Sequence, residues 1–233
     1  MVEDKASTTR VTKAAPLATP WILGVYGLAG ATFVIATRWA GWYGGGGAES
    51  RFLLVPLAAV LGGITLLAGR WAFEASDGLA TAILGTWGAF WIAYGLLNAL
   101  FVSGNLPQPV GLFPEIGFWF IVVSAITWVG AVAALSESLA LALALGFLAA
   151  GSTLAAIMNI ADRGGLETVT GWLFVISAVI GWHTATAMMF EGAFHRPVLP
   201  LGTYASMGLS TRGERVREQG ALLVDTPAPR RAG

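Results

Sequence analysis

Charged residues fall in widely separated islands along this chain, and the stretches between them are almost wholly apolar. Asp, Glu, Lys and Arg are absent from 14–37, 52–69, 78–114, 116–136, 138–161 and 168–190. A helix needs roughly 20 apolar residues to cross the hydrocarbon core of a bilayer. Each gap holds a run of that length or nearly so. In lipid the backbone must satisfy its own hydrogen bonds, so these runs are predicted to be helices. A transmembrane barrel would need short alternating segments, which this chain lacks. The spacing predicts an all-α membrane protein with six spans, at about 20–38, 52–70, 79–102, 112–136, 139–161 and 170–191. The first two are the shortest, and a buried core helix is the alternative reading of the second.

Composition strengthens this picture. Of 233 residues, 56% are hydrophobic and 11% charged, where a soluble domain carries about 25% charged residues. A soluble fold this apolar would lack the polar surface to cover itself, whereas lipid accepts apolar side chains facing outward. Orientation follows from Lys and Arg. With both termini cytoplasmic, the inner parts hold ten of these residues (Lys5, Arg10, Lys13, Arg70, Arg196, Arg212, Arg215, Arg217, Arg230, Arg231) and the outer loops three (Arg38, Arg51, Arg163). The expected location is the cell membrane, plasma or inner, crossed several times. Net charge is zero, so nothing points to nucleic acid. The first twelve residues are largely polar, so the apolar run after them reads as a first span rather than a secretion signal.

The chain divides into an N-terminal cytoplasmic tail at 1–18, a six-helix domain at 19–202 and a flexible, polar C-terminal tail at 203–233. Gly44 to Gly47 read as a flexible turn in the first outer loop, since the rest of a phosphate-binding motif is missing. The chain contains no cysteine. That excludes disulfides, thiol catalysis and Cys-ligated metals. No cofactor and no metal site is expected.

Small and polar residues punctuate the spans. Gly24, Gly27 and Ala31 share a face of the first helix; Thr81, Gly85 and Gly88 share one of the third. Such spacing lets helix backbones approach closely, within the protomer or between protomers. Asn98, Asn159, Ser152, Thr153, Ser177 and Thr184 lie at membrane depth, where each most often bonds between helices. His183 is the ionisable group well inside a span, with either a packing role or a proton-handling one. Glu115 and Glu191 lie near span ends, within reach of the interface. Pro20 and Pro114 sit where helices begin, and a missing N–H costs little there.

An enzyme would need a catalytic constellation. Ser152 and His183 sit on different helices and make an intramembrane serine hydrolase the alternative, but no Gly-x-Ser-Gly surrounds Ser152. Metal-dependent hydrolysis lacks a His-Glu-x-x-His motif, and the one other histidine is His195.

The stretch Gly78-Leu-Ala-Thr-Ala-Ile-Leu-Gly-Thr-Trp-Gly-Ala-Phe-Trp91 resembles the third-helix signature of the acetate uptake transporter family. This family takes in bacterial succinate–acetate transporters and fungal acetate- and ammonia-exporting relatives. Gly171-Trp172 at the sixth helix, Asn159 in the fifth and the closing His195-Arg-Pro-Val-Leu-Pro-Leu-Gly202 agree with it, so the resemblance covers about 17–202. The resemblance implies a six-helix protomer in a homo-hexamer. Each protomer would hold a pore for small monocarboxylates, narrowed by bulky side chains that fall here on Tyr26, Trp87 and Leu148. The family typically has Phe, Tyr and Leu there. An apolar constriction resists a hydrated ion, while Thr81 and Asn159 are donors to replace lost water. Pro20 and His183 complete the pore candidates. The first helix departs from the family's Asn-Pro-Ala-Pro-Leu-Gly-Leu, reading Leu17-Ala-Thr-Pro20-Trp-Ile-Leu23, so an entrance Asn is lost and Trp21 adds bulk. In the sixth helix, the Tyr and Glu of bacterial members fall on Trp182 or His183 and on Met188.

The expected function is therefore a transporter or channel for acetate-like small carboxylates, with succinate a further candidate, and not an enzyme. Passive permeation and proton symport both stay open. Another small weak acid, or ammonia, is the alternative cargo.

Overall fold

A computed structural model describes residues 19–42, 49–107 and 114–203, with side chains from residue 57 onward in the second stretch. The tail at 1–18, Gly44 to Gly47 and the tail beyond 203 lie outside the described residues. The chain forms α1 (Pro20–Trp39), α2 (Glu49–Glu74), α3 (Gly78–Val102), α4 (Pro114–Ala134), α5 (Leu139–Ile160) and α6 (Glu167–Phe194), with one 3-10 turn at Gly164–Leu166 before α6. All six helices are long and apolar enough to cross a membrane.

The boundaries agree with the charge gaps except where a helix runs on past its apolar stretch. α2 continues to Glu74, four residues beyond the expected end, and Arg70 and Glu74 pair on its exposed last turn at 2.8 Å. That pair is spaced one helical turn apart, which supports helix in water as well. α6 likewise runs from 167 to 194 rather than from 170 to 191. Lipid thickness limits the apolar run, not the helix. Two of the starts are capped by side chains: Asp77 Oδ1 accepts from the Ala80 N–H at 2.9 Å, and Ser138 Oγ from the Leu141 N–H at 3.2 Å.

The helices close into a ring. α1 packs on α2 and α6, α6 on α5, α5 on α4, α4 on α3, and α3 on α2, while α1 also touches α3. The glycine faces are where backbones meet. A Cβ on Gly88 would fall on the backbone of Leu66 in α2, and one on Gly27 would fall 2.6 Å from the Thr65 hydroxyl. Because lipid offers no hydrophobic drive for helices to associate, this close approach supplies much of the packing attraction.

The outer surface is apolar. Val129 is 72% exposed and Val132 68%, an arrangement that fits lipid rather than water. Trp42 and Trp172 stand half-exposed with ring centroids 5.6 Å apart, next to the end of α1 and the start of α6. Tryptophan at that height marks a membrane interface. These residues form the far end of the bundle. The near end holds the start of α1, the α2–α3 and α4–α5 turns and the finish of α6.

At the near end the closing motif forms a strap. His195 ends α6 in the left-handed region at φ 54°, and the chain turns back over the bundle. The carbonyl oxygens of Leu201 and Gly202 accept from the N–H groups of Ala140 (3.0 Å) and Leu139 (3.2 Å). The first N–H groups of a helix have no partner within it, so the strap caps α5. His183 Nε2 lies 2.9 Å from the Pro200 carbonyl. A carbonyl can only accept, so this nitrogen carries the proton.

Candidate functional site

Between α1, α5 and α6, on the inner side of the bundle, lies a narrow cavity of about 20 Å³. Its walls are Trp21, Val25, Leu28, Ala29 and Thr32 of α1, Leu141, Ala144, Leu145 and Leu148 of α5, and Ser177 and Gly181 of α6. The backbones of α1 and α5 make no close approach, and their side chains face each other across the cavity. Trp21 and Leu141 lie in the first turns of helices that start at the near end, while Thr32, Leu148 and Ser177 sit in mid-helix. Its lining therefore reaches from the near end to mid-helix, although the open space within it is small. A volume of that size holds about one water molecule and is too small for a two-carbon acid.

Beyond the middle, aromatic rings fill the axis. Trp39 stacks on Phe174 at 5.7 Å and meets Phe120 at 5.9 Å, and Phe120 meets Phe90 at 5.1 Å. Trp87 joins through Phe90 at 5.2 Å. These rings come from α1, α3, α4 and α6, and all are buried. Their edges and faces alternate in the offset geometry aromatic quadrupoles favour. At the near mouth, the Trp21 indole N–H donates to Asp77 Oδ2 at 2.7 Å, tying α1 to the cap of α3.

The residues expected from sequence separate in the structure. Leu148, 1% exposed, stands in the cavity wall. Trp87 is fully buried on α3, its indole N–H donating to the Thr127 hydroxyl of α4 at 2.9 Å. Thr127 in turn donates to the Val123 carbonyl, so both groups are satisfied. Trp87→Phe removes this donor and also part of the ring system from a fully buried site. Loss of about 2–3 kcal/mol is expected from the missing bond and the cavity together, read as a lower melting point in detergent.

Tyr26 is half-buried on the side of α1 that meets α6, its hydroxyl 2.7 Å from that of Thr186. It is absent from the cavity wall. Pro20 opens α1 as its first residue. Thr81 donates to the Asp77 carbonyl at 2.6 Å and faces an outer groove between α2 and α3 with Leu66, Leu67 and Gly85. Asn159 donates to the Ala155 carbonyl at 2.8 Å near the far end, against Gly117 of α4. His183 is held by the strap. Ser152 donates to the Leu148 carbonyl at 2.8 Å, so Ser152 and His183 bond elsewhere and do not form the pair a serine hydrolase needs. Among the described residues, no cluster of three acidic or histidine side chains is placed to hold a metal ion.

The cavity residues on α1 escaped sequence reasoning apart from Trp21. Trp21, Leu28, Thr32 and Trp39 recur at seven and four residues, a helical face. In a span that is apolar all round, that face has no contrast with the others.

A ring of six apolar helices around a closed, mainly apolar axis defines a multi-pass membrane protein with a channel-type fold. The profile of the GPR1/FUN34/yaaH family matches residues 4–202, and the chain belongs to that family. Its fold is similar to that of the bacterial acetate channel SatP, with a TM-score of 0.70 at 21% identity over 80% of this chain and all of that one. A curated relative is ammonia transport outward protein 3 of Saccharomyces cerevisiae, 28% identical over 125 residues. That match covers 53% of this chain and 46% of the relative, so it spans about half the relative's length.

Proposed function

We propose that this protein passes acetate-like small carboxylates across the membrane, through the centre of each protomer. The observation that carries the reading is the cavity between α1, α5 and α6, walled among the described residues by apolar side chains that include Leu148 and by no charged one. An apolar closure holds back hydrated ions and yields to a solute that offers a methyl group to aromatic faces. Membership of the GPR1/FUN34/yaaH family, together with a fold similar to that of an acetate channel, supports the cargo. Of the constriction positions, Leu148 narrows the wall, Trp87 backs the aromatic barrier, and Tyr26 holds α1 against α6. Thr81, Asn159 and Pro20 shape the helices around the axis. Succinate, with a second carboxylate, fits the apolar axis less well than acetate.

In the same reading both termini are cytoplasmic, on the Lys and Arg count, and the protein resides in the cell membrane. The exposed glycine-lined groove between α2 and α3 suits contact with another protomer, in keeping with a hexamer.

A second cargo is favoured by one observation, the ammonia-exporting yeast relative. Competition separates the two. Purified protein in liposomes should take up radiolabelled acetate above empty liposomes, with propionate but not ammonium reducing the rate. Competition by ammonium alone would transfer the reading to ammonia.

A further inference from the structure

The spans carry several buried hydroxyls, and nearly all are spoken for. Thr65, Thr127, Thr170 and Thr184 fold back onto the carbonyl four residues earlier in their own helix. Thr32 does not. Its Oγ1 is buried, has no hydrogen-bond partner and belongs to a residue that is 1% exposed and lines the central cavity. An unpaired buried hydroxyl is costly, and the ordinary remedy, a bond to its own helix, is unused. Ser177 lines the same cavity from α6 and donates to the Ala144 carbonyl of α5 at 2.8 Å. Its proton is committed, so towards the cavity it offers lone pairs only.

From these two hydroxyls we infer a binding subsite for a carboxyl group in its protonated form, half-way along the passage. This rests on the transport reading above. Thr32 has a free O–H to donate to the carbonyl oxygen of the acid. Ser177 Oγ accepts the acid's own O–H. One donor and one acceptor match a neutral carboxylic acid, whereas a carboxylate would meet the lone pairs of Ser177. Among the described residues that line the cavity, none on α1, α5 or α6 is ionisable. Asp77 reaches the wall only through the Trp21 N–H, and His183 is bonded to the strap. Nothing there offsets the cost of drying an anion. The methyl group of the acid is left to Leu28, Leu145 and Leu148, all cavity residues. α1 must part from α5 to admit it.

The test uses the full chain in liposomes with radiolabelled acetate, subtracting uptake by empty liposomes. Thr32→Val keeps the shape and removes the hydroxyl; carried flux should fall roughly fivefold. Thr32→Ser should keep flux near the wild-type rate. T32V should melt no lower than wild type, since an unpaired polar group is removed. At constant total acetate, carried flux should rise about tenfold for each pH unit of acidification above the acid's pKa. Wild type carrying acetate while T32V matches it overturns the subsite alone. T32V that melts lower as well as transporting less shows a packing role and also overturns it. Flux independent of pH overturns the protonated form. Wild type carrying no acetate overturns the transport reading and the subsite with it. Should T32V not fold, Thr32→Ala carries the same expectations for flux.

Discussion

Gly171→Val is expected to abolish the folded protein. Gly171 lies in the first turns of α6 where that helix crosses the end of α1. A Cβ at 171 would land on the backbone of Trp39 and Ala40, not on the movable tip of a side chain. Two backbones cannot yield as a flexible side chain does, so the helices would have to separate. Overpacking in a core costs about 1–3 kcal/mol where side chains give way, and a backbone clash exceeds that. Total stability is about 5–15 kcal/mol, and separation would also break the Trp39–Phe174 stack that fills the far half of the axis. The check is the monodisperse peak on size exclusion in detergent, which should be lost. Gly146→Ala is the control, because its added Cβ meets nothing within 4 Å. A Gly171→Val protein that elutes and melts like wild type would show that α1 and α6 do not cross as described.

Leu148→Trp is expected to cut acetate flux at least tenfold, on the order of 1.4 kcal/mol or more in barrier. The indole would stand at the inner end of a cavity whose whole volume is about 20 Å³, more than filling it, so flux is read per amount of folded protein. Leu148→Ala should act in the opposite sense, raising flux and admitting propionate and butyrate more readily. Its stability cost belongs with other large-to-small core changes, about 2–5 kcal/mol, so flux is to be compared at equal amounts of folded protein. Uptake of acetate, propionate and butyrate across the three proteins is the measurement. An unchanged profile would remove Leu148 from the passage.

The membrane fold was legible from charge spacing alone. Each gap in Asp, Glu, Lys and Arg contains the apolar part of one helix, because burying a charge in lipid is costly and helices are the available way to span. Helix ends were less legible, since α2 runs past the apolar stretch into a charged last turn where Arg70 and Glu74 pair. The interior of the ring was hardest. In a water-soluble helix the polar face marks the outside, and here Val129 outside and Phe120 inside are equally apolar. Motif resemblance pointed to Leu148 and Trp87, both buried in the structure, and to Tyr26, whose hydroxyl is engaged with Thr186 beside the axis. Thr32 gave no signal, because a threonine in a span ordinarily bonds to its own backbone. Its exception depends on rotamer and surroundings, which spacing does not record. His183 stood out as an ionisable group at depth, yet its partner is the Pro200 carbonyl of the strap, which the residue pattern alone did not connect to it.

The absence of cysteine from the chain opens the most direct test of a passage through the protomer. Leu148→Cys places a sole thiol in the cavity wall. The variant is reconstituted, treated with a small methanethiosulfonate reagent until mass spectrometry shows full modification, and assayed for radiolabelled acetate uptake. If acetate moves along the ring axis, modification should reduce carried uptake towards that of empty liposomes, and acetate present during treatment should slow the modification. Full modification with undiminished acetate uptake would contradict the account.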